Sequence, residues 1–221
     1  MTRWATFDCY GTLIDWNGGI RSVLTALWPD TDPERLLARY HEIEPRVQLG
    51  SAIAYRDVMA QSLALLADDE GLPLDPVFEG VLGDSLPSWG AFPEVPAVLA
   101  ELRDRGWRLG ILSNTDPDLL TASLEHIGVP VDLTVTAAEA GSYKPAHGHW
   151  ERFRETVEVD PACHVHVAAS LFHDIAPANE LGIPAVWINR LGEASDLPRA
   201  AELPDLGRLP EQLDSLVPAT V

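Results

Sequence analysis

Trp4-Ala5-Thr6-Phe7-Asp8-Cys9-Tyr10-Gly11-Thr12-Leu13-Ile14-Asp15 is the stretch that decides the fold. It opens as a short apolar run, the pattern of a buried strand. Asp8 follows at once, and Gly11-Thr12 marks where the strand should end. In an open α/β sheet, a carboxylate at the C-terminal end of a strand lies at the crevice where such folds bind ligands. If ionised and aimed at an electrophilic centre, it can act as a covalent nucleophile. A lone aspartate here would more often begin a turn. Cys9 should point to the opposite face, which makes it buried filler rather than a nucleophile.

Outward from this stretch the chain divides in two. Residues 16–90 carry no strand signal. Trp16-Asn17-Gly18-Gly19 reads as a break, and residues 20–29 then show Ile20, Val23, Leu24, Leu27 and Trp28 at helical spacing. Thr31-Asp32-Pro33-Glu34 starts a helix to about Gln48, which Pro45 should kink or end early. Residues 53–67 and 75–86 read as two more helices. From Trp89 onward strands and helices alternate, as in a parallel sheet built of βαβ units. Strands are expected at Arg108–Leu112, Leu133–Val135, His164–Ala168 and Ala185–Ile188. Helices are expected at Val95–Leu102, Pro117–Ile127, His147–Val157 and Asp174–Leu181, with a short one at Pro210–Leu216. The domain reading is a core of 1–15 and 90–221 with a helical block, 16–89, inserted after the first strand.

The chain has 221 residues, enough for one substantial core with a small second unit. Its formal net charge of -19 argues against nucleic acid and anionic membrane as partners, since both require basic patches. No apolar run is long enough to span a bilayer and no secretory leader is visible. Two cysteines make no disulfide framework, so a cytoplasmic location is expected. A small anionic substrate would need a local positive site in this negative field. Lys144 is the single lysine among 15 basic residues.

Phe7-Asp8-Cys9-Tyr10-Gly11-Thr12-Leu13-Ile14-Asp15 resembles the first motif of the haloacid dehalogenase (HAD) superfamily, in which the first aspartate, here Asp8, is the nucleophile. Phosphatases of that superfamily carry a second aspartate two places on, as general acid. Here that place holds Tyr10, a phenol with a pKa of about 10 and a poor donor at neutral pH. A halide leaving group needs no proton, so Tyr10 points to a resemblance to the type II 2-haloacid dehalogenases. Leu112-Ser113-Asn114 ends a strand and resembles the second motif, which grips the substrate's anionic group. Alone it would read as a helix cap. Tyr143-Lys144-Pro145 resembles the third motif, whose lysine neutralises the nucleophile. His166 to Ile175 resembles the fourth, with Asp174 in the place of its last aspartate and Ala168-Ala169 where magnesium-dependent members carry Gly-Asp.

The resemblance implies an α/β fold: a Rossmann-like core with a parallel sheet flanked by helices, plus a small helical cap inserted after the first strand. It implies Asp8, Lys144 and Asp174 as catalytic residues. Tyr10, Thr12, His41, Ser113, Asn114 and Trp150 are the implied substrate-binding residues, with no metal ligand. Thr12 and Lys144 would position Asp8, and Asp174 would aid the hydrolytic water or cap its helix. The family's cap arginine falls on His41, whose protonated ring would supply the missing charge. Arg39 faces another side of that helix, and Arg46 is a further candidate. Trp150, Ala169 and Leu171 stand where the family has polar groups. The implied reaction is hydrolytic dehalogenation of a small carboxylate through an aspartyl ester, with no cofactor and room for a homodimer. Two alternatives stay open. A phosphatase on a small phosphomonoester would respond to Mg²⁺ and EDTA, and a catalytically silent binding protein would never be modified at Asp8.

Overall fold

A computed structural model describes residues 2–219. Among them, six strands form one sheet in the order β3-β2-β1-β4-β5-β6, and every neighbouring pair is parallel. They are β1 (Arg3–Phe7), β2 (Trp107–Ser113), β3 (Leu133–Thr136), β4 (His164–Ala168), β5 (Ala185–Ile188) and β6 (Ala201–Leu203). Helices cover both faces, so the inner strands are buried along their length. Because all strands run the same way, their C-terminal ends share one edge. The chain leaves β1 for β2 on one side, while β4 lies on the other. That reversal opens a crevice beside β1.

Between β1 and β2 lie α1 (Trp16–Leu27), α2 (Pro33–Gln48), α3 (Tyr55–Glu70) and the short α4 (Val81–Ser85), followed by α5 (Val95–Asp104) against the sheet. The first four pack on one another as a helical cap inserted after the first strand. The chain crosses into and out of the cap side by side: Asp15 N–H donates to Gly90 O at 3.0 Å and Phe92 N–H to Leu13 O at 2.9 Å. In α1 the residues Ile20, Val23 and Leu24 are buried, each stabilising the fold by about 1.5–3 kcal/mol.

Four local expectations give way to tertiary structure. Helix α1 begins at Trp16, capped by Asp15, whose side chain accepts from Gly18 N–H at 2.9 Å. The two glycines are not a break. A Cβ on Gly19 would stand 2.2 Å from the Trp89 ring, so helix and indole approach only because that Cβ is missing. Helix α2 runs through Pro45 to Gln48; the proline sits in the last turn, where its lost N–H costs a single hydrogen bond. The helix expected over 75–86 is a 3₁₀ turn, α4 and a second 3₁₀ turn at Leu86–Ser88. The sixth strand lies in the Pro- and acid-rich tail and was not expected.

Helix α6 is Pro117–Ile127, α7 is Ala137–Ala140 and α8 is Gly148–Thr156. After β4 a π-helical turn, Leu171–Ile175, precedes α9 (Ala176–Glu180), and α10 is Leu209–Leu216. Asp174 therefore does not cap a helix. Ser170 caps that turn, its Oγ accepting from His173 N–H at 3.0 Å.

Candidate active site

Asp8 follows the last residue of β1, Ser113 ends β2, Lys144 lies in the loop between α7 and α8 that follows β3, and Asp174 lies in the turn after β4. The common strand direction brings all four to one edge. They line a cavity of about 720 Å³ between the sheet and the cap, a size typical of small-molecule sites.

Lys144 Nζ is the hub. It donates to Asp8 Oδ1 at 2.9 Å, to Asp174 Oδ1 at 2.6 Å and to Leu112 O at 2.9 Å, so all three ammonium protons are used. Its side chain is 1 % exposed. Burial alone would lower the Lys144 pKa, but Asp174 and Asp8 outweigh it and the net direction is up. Thr12 completes the hold on Asp8. Its hydroxyl donates to Asp8 Oδ2 at 2.8 Å and accepts from Ala169 N–H at 2.9 Å. Burial raises the Asp8 pKa despite Lys144. Burial would raise Asp174 too, but Lys144 and His166 overcome it and hold Asp174 well below the usual carboxylate range.

The second carboxylate oxygen of Asp174 and the hydroxyl of Ser113 are buried without a hydrogen-bond partner. Both residues line the cavity, so hydrogen-bonding capacity lies unused beside it. Asn114 is different. Its amide donates to Gln48 Oε1 and to Lys144 O, each at 3.0 Å, and its oxygen accepts from Lys144 N–H at 2.7 Å. Its donors therefore already tie the Lys144 loop to helix α2. Gln48 in turn donates to Glu44, a buried acid that desolvation pushes up to about 7.

Tyr10 lines the cavity with its ring, stacked on Tyr55 at 6.3 Å, while its hydroxyl pairs with Ser123 at 2.9 Å. Burial raises its pKa far above that of a free phenol, so it stays neutral. His41 also lines the cavity, as expected of the cap. Its Nε2 lies 2.9 Å from Asn17 Oδ1 and its ring stacks on Trp16, while burial and Arg21 push its pKa down. That direction runs against the expectation that a protonated His41 supplies the missing charge. Arg39 is engaged outside, with Glu42, Asp69 and Glu70. Arg46 is exposed and does not line the cavity.

The arginines that do line it are Arg21, paired with Glu34, and Arg190. Arg190 follows β5, donates to Thr12 O at 2.9 Å and Glu94 at 2.7 Å, and lies 3.6 Å over the Phe92 ring. Its position after a strand end was the one signal in the sequence that could have found it. Trp150 corrects another expectation. It is fully buried in the core, edge-on to His166 at 5.3 Å, and is not part of the cavity wall. Helix α8 turns it inward toward Phe153 and Val135.

Mg²⁺ takes a near-octahedral shell of hard oxygens. This site has two carboxylates with an ammonium already between them, and Tyr10 and Ala169 add a phenol and a methyl group. The donor set does not fit that ion. Among the described residues, no cluster of three or more His, Cys, Asp or Glu side chains could hold a metal.

A family model for hydrolases, described as haloacid dehalogenase-like hydrolase, matches residues 2–182. The chain belongs to the haloacid dehalogenase-like hydrolases. This hydrolase is 28% identical over 203 residues to the (S)-2-haloacid dehalogenase of Pseudomonas sp. (strain YL), covering 84% of this chain and 82% of that one. It is 28% identical over 214 residues to haloacetate dehalogenase H-2 of Moraxella sp. (strain B), covering 93% and 90%. Among solved structures, an L-2-haloacid dehalogenase superposes with a TM-score of 0.85 at 27% identity, over 96% of this chain and 99% of that one. The hydrolase shares its fold, a parallel sheet with an inserted helical cap, with that enzyme.

Proposed function

We propose that this hydrolase displaces halide from a small 2-halocarboxylate through an ester on Asp8. The observation that carries the reading is the state of Asp8: a carboxylate facing a cavity, oriented by Thr12 and Lys144, and beside a tyrosine that cannot serve as a leaving-group acid. The substrate carboxylate meets Ser113, whose hydroxyl is free of protein partners. An Asp8 oxygen attacks the carbon bearing the halogen and expels halide, which needs no proton. The negative charge of Asp8 is lost in the ester, and Lys144 then balances Asp174 alone. Water next attacks the Asp8 carboxyl carbon, with the free oxygen of Asp174 accepting its proton. Product leaves as the 2-hydroxy acid and Asp8 is regenerated. The names of the relatives support the halide chemistry. The misfit to Mg²⁺ supports a reaction without metal.

Among the described residues, no helix is long and apolar enough to cross a membrane. The cytoplasm is the proposed location, which suits a chain with only two cysteines. The test is halide release from a panel of 2-haloacids in the presence of EDTA. Release that survives EDTA is expected. No release from any member, with Mg²⁺-dependent hydrolysis of p-nitrophenyl phosphate instead, would replace this reading by the phosphatase.

A further inference from the structure

Beneath Asp174 runs a buried row of polar side chains that the reaction as described does not use. Strands β1 and β4 are neighbours, with Thr6 opposite His166. His164 and His166, two residues apart, share one face of β4. His166 Nε2 lies 3.0 Å from Asp174 Oδ1, and His166 Nδ1 lies 2.9 Å from Thr6 Oγ1. Thr6 Oγ1 is in turn 2.8 Å from His164 Nε2. All four residues are buried. An ionised carboxylate only accepts, so His166 Nε2 carries a proton and donates it. The Thr6 hydroxyl lies between His166 Nδ1 and His164 Nε2, where it can donate to one and accept from the other. Trp150 packs against the His166 ring and Phe153 against that of His164, holding both in orientation.

One oxygen of Asp174 thus receives two donors, Lys144 and His166, while the other has no partner and is buried at the cavity. The loop leading to Asp174 offers it no side-chain donor. Ala169 and Leu171 have none, the Ser170 hydroxyl is engaged with His173, and the His173 Nε2 is buried without a partner rather than bonded to Asp174. Lys144 alone would fix Asp174 poorly, because a single contact leaves the carboxylate free to turn about a soft terminal torsion.

We propose that His166 is a positioning residue for the second half of the reaction, holding Asp174 so that its free oxygen meets the water that cleaves the Asp8 ester. The inference rests on the dehalogenase reading above. In that step the water oxygen bonds to the Asp8 carboxyl carbon, and one water proton passes to Asp174. The bond from that carbon to the ester oxygen breaks, the departing oxygen takes the proton from Asp174, and the second water proton leaves Asp8 for solvent.

The test uses His166→Leu, which removes the donor, and His166→Gln, whose amide can replace it. Thr6→Val, nearly isosteric, removes the hydroxyl that pairs with His166 and with His164 while leaving His166 itself in place. Each is mixed in excess with racemic 2-chloropropionate and quenched over one turnover; chloride reports ester formation and intact mass reports the ester. His166→Leu should form ester within about threefold of the wild-type rate but break it down at least about tenfold more slowly, so the ester accumulates. His166→Gln should restore breakdown to within about threefold, and Thr6→Val should fall between. If wild type releases no chloride, the dehalogenase reading fails and the inference falls with it. If wild type turns over while ester breakdown is unchanged in His166→Leu, or slows equally in His166→Gln, the inference alone is overturned. Should His166→Leu not fold, unchanged breakdown in Thr6→Val overturns it equally.

Discussion

The Lys144 ammonium meets Asp8 at 2.9 Å in a setting where the lysine side chain is 1 % exposed. In a chain of net charge -19, this buried cation compensates two carboxylates at once. Lys144→Met keeps the length of the side chain and removes the charge. It should abolish halide release and cost about 3–5 kcal/mol of stability at pH 7, because two buried carboxylates lose their counter-ion. Urea unfolding checks the second part. A variant as stable as the wild type would mean that Asp8 and Asp174 are not both ionised in the fold.

Asp8 must be ionised to attack, and burial raises its pKa above the ordinary aspartate value. The rate should therefore fall with decreasing pH along a single acid limb lying above that value. Lys144 titrates above its ordinary range and His41 below its own, so neither removes activity near neutrality. The check is kcat/KM from pH 4 to pH 10. A rate that declined as pH rose through about 6.5 would restore a protonated His41.

Glu44 makes a separate statement about stability. Desolvation raises it from 4.5 to about 7. The folded state thus binds this proton more tightly than the unfolded chain. The group costs nothing at low pH, costs progressively more from about pH 4.5 to 7, and costs a constant amount above. Glu44→Gln should gain on the wild type across that window, reaching on the order of 3 kcal/mol at pH 8. Paired denaturation curves at several pH values measure it. A difference that did not change with pH would show that Glu44 ionises as freely in the fold as in the unfolded chain.

Trp150 is in the core and its indole N–H is buried without a partner. In Trp150→Phe the lost packing and the relieved donor oppose each other, so stability should move by no more than about 1 kcal/mol. KM should stay within about twofold, since the cavity wall is untouched. A large rise in KM with unchanged stability would put this side chain back in the substrate site.

The parts of the site that were legible in the sequence are those that punctuate strands. Asp8, Asn114 and Asp174 follow strands and Ser113 ends one, while Lys144 follows the short α7 after β3, and parallel topology gathers strand ends, so local pattern sufficed to bring them together. What was not legible depends on partners far along the chain. Gly18-Gly19 read as a break because nothing local announces Trp89 against Gly19. Asp174 read as a cap because the π-helical turn that hands capping to Ser170 is a tertiary feature. The three residues of β6 carry no strand period and are fixed by pairing with β5. Arg21, Arg190 and the Glu44–Gln48 pair reach the cavity by the way cap and core meet, and His166 reaches Asp174 through the register of β4 beside β1. Trp150 failed for a related reason, since position in a motif does not say which face of α8 meets the core.

The central claim is that Asp8 itself attacks carbon. A single turnover of 2-chloropropionate in H₂¹⁸O with enzyme in excess tests it most directly, with the product and the peptide containing Asp8 weighed separately. The account predicts ¹⁸O in the Asp8 carboxylate and none in the hydroxyl of the product, because the product oxygen comes from Asp8 and water replaces it. Label in the product hydroxyl on that first turnover, with Asp8 unlabelled, would make water the nucleophile and contradict the account.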